Sequence, residues 1–324
     1  MHLNILVTGG AGFIGSHACK ALAKSGFHPI TYDNLSRGHR EAVKWGPLEV
    51  GDVADSGRLH AVLEQHQPAA VMHFAAYAYV GESVENPLLY YRNNVAGSAA
   101  LLQAVIEYKP LPFVFSSTCA TYGIPDKIPI TEDHPQRPIN PYGFSKLVVE
   151  RMLADIAVSH QLPWVALRYF NAAGSDPENE IGEMHDPETH LIPLVLEAAR
   201  SGLPVQIFGT DYDTPDGTCI RDYVHVTDIA DAHVRALNHL LAAGESCAIN
   251  LSNARGHSVK EVIETAENIC KHTIPVSIGA RRHGDAPVLV GSAKRALAVL
   301  GWKPERSGLN IQIEDAWNWI KSRN

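Results

Sequence analysis

The stretch that decides the fold is LNILVTGGAGFIGS, residues 3–16. Ile5, Leu6 and Val7, with Leu3 before them, make the continuous apolar run of a parallel strand buried on both faces. Gly10-Ala11-Gly12-Phe13-Ile14-Gly15 follows as a G-x-G-x-x-G run, and Ala18, Ala21 and Leu22 then recur at helical spacing. In such a strand–turn–helix unit the first glycine permits a tight turn, the second lets backbone approach a pyrophosphate, and the third lets the helix pack on the strand. The helix N-terminus adds unpaired N–H groups and the positive end of its dipole. The same glycines also read as G-x-x-G-x-x-G from Gly9. Gly9, Gly12, Phe13, Ile14 and Gly15 are therefore candidates for the phosphate end of a dinucleotide site.

Residues 27–32 read as a second strand, ending at Asp33, 18 positions past Gly15. A carboxylate there accepts hydrogen bonds from the adenosine ribose and repels a 2′-phosphate, which favours NAD over NADP. Arg37 lies close enough to allow some NADP tolerance, and a solvated loop Asp is the plainer alternative. Residues 34–45 read as a polar loop or short helix, and residues 48–52 as a strand ending at Asp52 near an adenine edge. Asn34 and Val53, beside these two acids, complete the candidates at the adenosine end. Residues 56–65 carry Leu59, Val62 and Leu63 on a helix capped by Ser56. Residues 70–74 form a fourth strand running into the small pair Ala75-Ala76, which lets backbone approach the cofactor. A long helix starts at Pro87 and runs to about Tyr108. Residues 113–116 form a fifth strand. Strands alternating with helices predict an α/β fold with a doubly wound parallel sheet of Rossmann type.

Ligands in such sheets sit beyond the carboxyl ends of the strands. The fifth strand ends in Ser116-Ser117-Thr118-Cys119, whose hydroxyls either face that site or cap the turn. Asn140-Pro141-Tyr142-Gly143-Phe144-Ser145-Lys146 comes next; a helix starting near Pro141 places Tyr142 and Lys146 on one face. A free phenol titrates near ~10. A neighbouring ammonium lowers that value, as a bound nicotinamide cation would, and makes a base suited to an alcohol proton. An amphipathic helix with a surface lysine is the alternative. Residues 164–169 form a sixth strand. From about residue 175 the alternation gives way to a smaller mixed α/β lobe, with loops over 175–188 and 210–217. Arg221-Asp222-Tyr223 and Arg281-Arg282-His283-Gly284-Asp285 put arginines in apparent loops, as phosphate clamps or plain surface charge. Residues 259–271, 294–300 and 311–321 read as closing helices.

The 324 residues are 45% hydrophobic and 19% charged, as expected of a globular chain with a sizeable core. A formal net charge of −8 argues against nucleic acid or an anionic membrane as partner. No apolar run is long enough to cross a bilayer. The first strand begins too early to leave room for a signal peptide, and five widely spaced cysteines suggest a reducing cytoplasm. His185 and His190 flank what reads as a loop, with no HExxH or C-x-x-C, so no metal site is expected.

These motifs together resemble the UDP-glucose 4-epimerase branch of the extended short-chain dehydrogenase/reductase family, over nearly the whole length. The resemblance rests on residues 9–17 (GGAGFIGSH), 80–84 (VGESV), 142–146 (YGFSK), 168–171 (RYFN), 216–218 (DGT) and 221–223 (RDY). It implies NAD as a cofactor that stays bound through a redox-neutral cycle, Tyr142 as base, Thr118 bridging it to the sugar 4-hydroxyl, and Lys146 on the nicotinamide ribose. It implies Phe74, Asn94, Ser116 and Tyr169 along the cofactor. Asn171, Leu191, Phe208, Arg221, Arg282 and Asp285 would hold UDP. It also implies residues 1–174 as the NAD-binding domain, with some later segments returning to it, and 175–324 as mainly the UDP-sugar lobe. Homodimers would pair through helices over 87–108 and 142–158. Three positions depart from the family pattern. Ala78 stands where a Lys is frequent, His190 where an Asn precedes Leu191, and Leu289 where some members carry a Tyr bounding the sugar pocket. The smaller Leu289 suggests room for an N-acetyl group. UDP-N-acetylglucosamine, the UDP-xylose/UDP-arabinose pair, a nucleotide-sugar dehydratase, a net dehydrogenase and a non-catalytic dinucleotide sensor are the competing readings.

Overall fold

The computed structural model describes residues 2–282 and 285–323; His283 and Gly284 of the expected arginine loop lie outside them. The first half runs β1 (Asn4–Thr8), α1 (Phe13–Lys24), β2 (His28–Asp33), β3 (Leu48–Val50), α2 (Ser56–His66), β4 (Ala70–His73), α3 (Val80–Glu85), α4 (Pro87–Tyr90), α5 (Ser98–Tyr108), β5 (Phe113–Thr118), α6 (Pro141–His160) and β6 (Trp164–Tyr169). The second half runs β7 (Asn171–Ala173), α7 (Leu191–Ser201), β8 (Val205–Phe208), β9 (Ile220–His225), α8 (Val226–Leu241), β10 (Cys247–Leu251), β11 (Gly256–Ser258), α9 (Val259–Cys270), β12 (Val276–Gly279), β13 (Val288–Leu289), α10 (Lys294–Leu300) and α11 (Leu309–Ser322).

Seven parallel strands form the central sheet in the order β10-β6-β5-β4-β1-β2-β3. Alternation along β1 feeds both faces: Ile5 and Val7 join one core with Leu237 and Ile249, while Leu6 joins the other with Leu59, Leu101 and Phe113. The sheet is thus the α/β, doubly wound Rossmann type expected. Its seventh strand, β10, comes from late in the chain, and α8 packs against α1. A third core joins α7, α9 and α11 around Val195, Ile207, Val262 and Ile313.

Three local expectations are corrected. Asp55, not Ser56, caps α2, its Oδ1 accepting from Arg58 N at 2.9 Å. The helix from Pro87 to Tyr108 contains a wide π turn over Tyr91–Gly97. That turn carries Asn94, whose Oδ1 accepts from Tyr77 N and whose Nδ2 donates to Tyr77 O, so it secures the segment after β4. Arg221-Asp222-Tyr223 lies on β9 rather than in a loop. The reason is pairing: β9 sits among β7, β11 and β13, and this polar strand is held by its neighbours and not by an apolar run.

A Cβ on Gly15 would overlap the carbonyl oxygen of Gly9 and lie 2.9 Å from Gly10 Cα. Gly15→Ala is therefore expected to cost roughly 1–3 kcal/mol through overpacking against rigid backbone, read as a lower urea midpoint at unchanged slope.

Candidate active site

A cavity of about 1620 Å³ opens along the carboxyl ends of the sheet strands and continues under the second half of the chain. One drug-sized ligand takes roughly 300–1,000 Å³, so two ligands end to end fit this space. Gly9, Gly12, Phe13, Ile14 and Gly15 from the β1–α1 turn line it, with Asp33, Asn34 and Val53 beyond β2 and β3. Phe74, Ala75, Ala76, Ser116, Thr118, Tyr142, Lys146 and Tyr169 line its middle. Asn171, His190, Leu191, Phe208, Arg221, Arg282, Asp285 and Leu289 line its far end. Two candidates do not line it: Asp52 is exposed and Asn94 is buried. Asp52 accepts from Asn34 Nδ2 at 2.7 Å, and the Asn94 amide is taken by Tyr77 and Ser145.

At the near end Gly9 has φ +74, and a Cβ on it would overlap Ala75 N, so glycine is required there. A Cβ on Gly12 would meet only Gly9 O, at 3.4 Å; its open side faces the cavity and leaves room for a phosphate. Asp33 is buried; its Oδ2 accepts from Ala11 N at 3.0 Å and its Oδ1 from Leu35 N at 2.8 Å. Burial raises its pKa against these two hydrogen bonds. Arg37 is engaged away from Asp33. It donates to Glu82 Oε1 at 2.7 Å and to Asp186 O at 3.1 Å, with its guanidinium over the Tyr79 ring. A second phosphate on the ribose would thus meet Asp33 and find Arg37 already paired.

In the middle, Asn140 caps α6 by accepting from Gly143 N at 2.8 Å, which starts the helix so that Tyr142 and Lys146 lie on its cavity side. Lys146 Nζ donates to Ser116 O at 2.8 Å and lies 4.9 Å from the Phe115 ring centre. The Tyr169 hydroxyl pairs with Ser116 Oγ at 2.6 Å. Burial raises the Tyr142 pKa, against a smaller effect of Thr118 that favours the phenolate. Burial also lowers Lys146 to about 7, with Glu150 opposing. The sequence reading had the ammonium acidifying the phenol. In the protein by itself the phenol moves the opposite way, because desolvation outweighs the influence of its polar neighbours.

At the far end, alternation along β9 turns Arg221 and Tyr223 to the cavity. Asp222 faces inward, accepting from Ser252 Oγ and Asn253 N. Arg221 donates to Asp285 Oδ1 at 2.5 Å, and Arg282 stacks 3.9 Å over the Phe208 ring. His190 precedes α7 with no side-chain cap bond, so the first N–H groups of that helix open beside Leu191 on the cavity. Ala78, where the resemblance led us to look for a lysine, also lines the wall.

The sequence reading missed Tyr77 and Tyr79, which line the wall, and His185 and Glu188 beside His190. The first pair had no periodic signal. The second pair did carry one, the tight Glu-x-His-x-x-Glu-x-His spacing of residues 183–190, but a loop gave no face to place it on.

The sequence pattern of the NAD dependent epimerase/dehydratase family matches residues 5–252. The UDP-glucose 4-epimerase of Rhizobium meliloti (strain 1021) is 53% identical over 324 residues, covering 99% of this chain and 98% of that one. The crystal structure of UDP-glucose 4-epimerase from Brucella ovis in complex with NAD superposes with a TM-score of 0.96 at 51% identity, covering 98% of both chains. The UDP-glucose-4-epimerase from Stenotrophomonas maltophila, with bound NAD and formylated UDP-arabinopyranose, gives a TM-score of 0.96 at 40% identity, covering 99% of both.

Burial of Lys146 makes the stability of the fold depend on pH. With its pKa lowered from 10.5 to about 7 in the folded state, the unfolded chain binds the extra proton between these values, so stability rises with pH across that window. Below it the full cost of burying the charge is carried. In cofactor-stripped protein, Lys146→Met should therefore raise Tm most at neutral pH or below, and the gain should shrink toward pH 10. Differential scanning calorimetry across this range checks it.

Proposed function

The chain belongs to the NAD dependent epimerase/dehydratase family, and from that premise we infer its reaction as NAD-dependent inversion at C4 of a UDP-sugar, interconverting UDP-glucose and UDP-galactose. The observation that carries this reading is one continuous cavity holding, in order, a glycine turn, the Thr118–Tyr142–Lys146 group and an arginine-bearing far end. NAD fits the near end on the open side of Gly12 and the buried carboxylate of Asp33. Gly9, Gly12, Phe13, Ile14 and Gly15 would hold its pyrophosphate, and Asp33, Asn34 and Val53 its adenosine. Phe74, Ala75, Ala76, Ser116, Tyr169 and Lys146 would hold the nicotinamide end. Asp52 would act through Asn34, and Asn94 supports the wall through Tyr77. When bound, oxidised NAD would supply reversible hydride acceptance at C4 of the sugar.

The remaining work falls to side chains of the chain itself. Tyr142 Oη takes the 4-hydroxyl proton directly or through Thr118, and later gives it back, so the cycle balances with no net oxidation. Tyr142 is a poor base in the buried site alone, and its activation waits on positive charge beside it. Lys146 supplies part of that charge in its protonated form, positioned by Ser116 O. Arg221, Arg282 and Asp285, with Asn171 and Phe208, would hold the uridine diphosphate. The open N-terminus of α7 at Leu191 and the His190 imidazole would face its phosphates. A dehydratase needs a further acid after the threonine. Here Cys119 follows, its thiol pushed up to about 12 by burial, and Ala120 offers no acid.

Leu289 on β13 bounds the sugar end without a phenol ring, which supports acceptance of an N-acetylated sugar. Leu88, Leu89, Phe144 and Val158 leave apolar surface on α4 and α6, which supports a homodimer formed through these helices. Sedimentation at micromolar concentration should give a dimer mass, and a monomer mass would count against it. No helix among the described residues is long and apolar enough to cross a membrane. All five cysteines are free thiols, which supports a reducing compartment.

Tyr142→Phe should lower kcat by roughly 10²–10⁴-fold while NAD and UDP-sugar still bind. Product separation with UDP-glucose and UDP-N-acetylglucosamine checks both halves. Unchanged turnover in the variant would remove Tyr142 as base, and wild-type inactivity on the N-acetyl sugar would remove the role given to Leu289.

A further inference from the structure

The segment before α7 gathers four side chains, of which the proposed reaction uses only His190, toward the phosphates. Glu183, His185, Glu188 and His190 each bring one ligand atom, all within 4.8 Å of one another. His185 Nδ1 lies 2.8 Å from Glu183 Oε1 and 3.9 Å from Glu188 Oε2, and His190 Nδ1 lies 3.5 Å from Glu188 Oε1. His190 Nδ1 also contacts Glu183 Oε1 more closely still. A tetrahedral ion with bonds of about 2.0–2.1 Å sets its ligand atoms roughly 3.4 Å apart, within this spread. A second observation points the same way. His185 Nδ1 is buried and, despite its short approach to Glu183, has no aligned hydrogen bond.

We propose that Glu183, His185, Glu188 and His190 form a divalent-cation site, with zinc as the fitting ion, that fastens the 183–190 loop across the cavity wall. Two imidazoles with two carboxylates suit zinc, whereas calcium and magnesium prefer all-oxygen shells. Two carboxylates also balance the charge of a doubly positive ion, whose binding would displace the proton shared between His190 and Glu183. The loop is already braced from outside: His39 Nε2 contacts Met184 O at 2.7 Å, Arg37 donates to Asp186 O, and Trp319 Nε1 donates to Glu183 O at 3.1 Å. Ligands held this way lose little freedom on binding. The His185 ring meets Phe13 of the glycine turn and Tyr79 edge-on, so the ion would link the far loop to the near end of the cavity. Beside Glu183, a cavity of about 30 Å³ lined by the orphaned hydroxyl of Ser175 has room for one supporting water. Among the described residues the other carboxylate cluster, Asp176, Glu178 and Glu180, is filled by Lys20 Nζ.

The test uses full-length protein without an affinity tag, stripped with chelator and dialysed against zinc. About one tightly held zinc per chain is expected, together with a rise in Tm. Cobalt in its place should give the intense visible band of a tetrahedral ion. Glu183→Gln with His185→Gln should abolish both signals, and Asp176→Asn should leave them intact. Less than about a tenth of an ion per wild-type chain, or the weak spectrum of hydrated cobalt, overturns the proposal whether or not the double variant folds. Undiminished binding by a folded double variant overturns it too. None of these readouts depends on turnover, so they stand apart from the reading of the reaction.

Discussion

Backbone touching backbone at one turn is the constraint from which the site grows. Where β1 gives way to α1, the carbonyl of Gly9 sits where a side chain on Gly15 would lie, and Gly9 itself abuts Ala75 after β4. No other residue type allows both approaches. This contact brings the first turn of α1 over the end of β1 and aligns it with the ends of β4 and β5. The cavity is the space left above that line of strand ends.

A buried polar network then fixes the part of the wall that bears the phenol and ammonium. Arg168 on β6 is held by Glu150 on α6, which also accepts from Ser117 Oγ on β5. Arg168 donates to the Tyr122 hydroxyl, and Tyr122 donates in turn to Asn250 on β10. Each buried charge has a partner, so the cost of desolvating it is offset within the network. The geometric result is that three neighbouring strands and α6 share one set of hydrogen bonds directly behind Lys146. The helix carrying Tyr142 and Lys146 is tied to the sheet by direction-dependent contacts as well as by apolar packing.

The first half of the fold was legible because its code is local. Ile5 to Val7 and Phe113 to Phe115 are apolar runs ended by small polar residues, Val71 to Phe74 is broken only by His73 before the small pair Ala75-Ala76, and caps such as Asn140 sit one residue before their helices. The second half was less legible. β9 is a polar strand that exists through pairing with β7, β11 and β13, and nothing in residues 220–225 announces that pairing. α8, despite its regular apolar face, lay in a region read only as mixed. Most candidate site residues lie on one cavity, since strand ends and the tyrosine–lysine motif carry positional information. The sign of the Tyr142 shift was not legible, because desolvation depends on how completely the surrounding loops cover the phenol. His185 and His190 were set aside as loop residues for a related reason: the 183–190 spacing has no meaning until the loop folds back on itself.

The return of β10 to the sheet has a consequence for biosynthesis. Strand β6 gains its outer partner from residues 247–251, and α1 gains its main helical cover from α8. A nascent chain that has emerged only through the first six strands therefore presents an open sheet edge and an uncovered apolar helix face, both of which invite association with other chains. The ribosome must release nearly four-fifths of the polypeptide before the central layer can close, which makes this a chain whose halves mature together and not in succession.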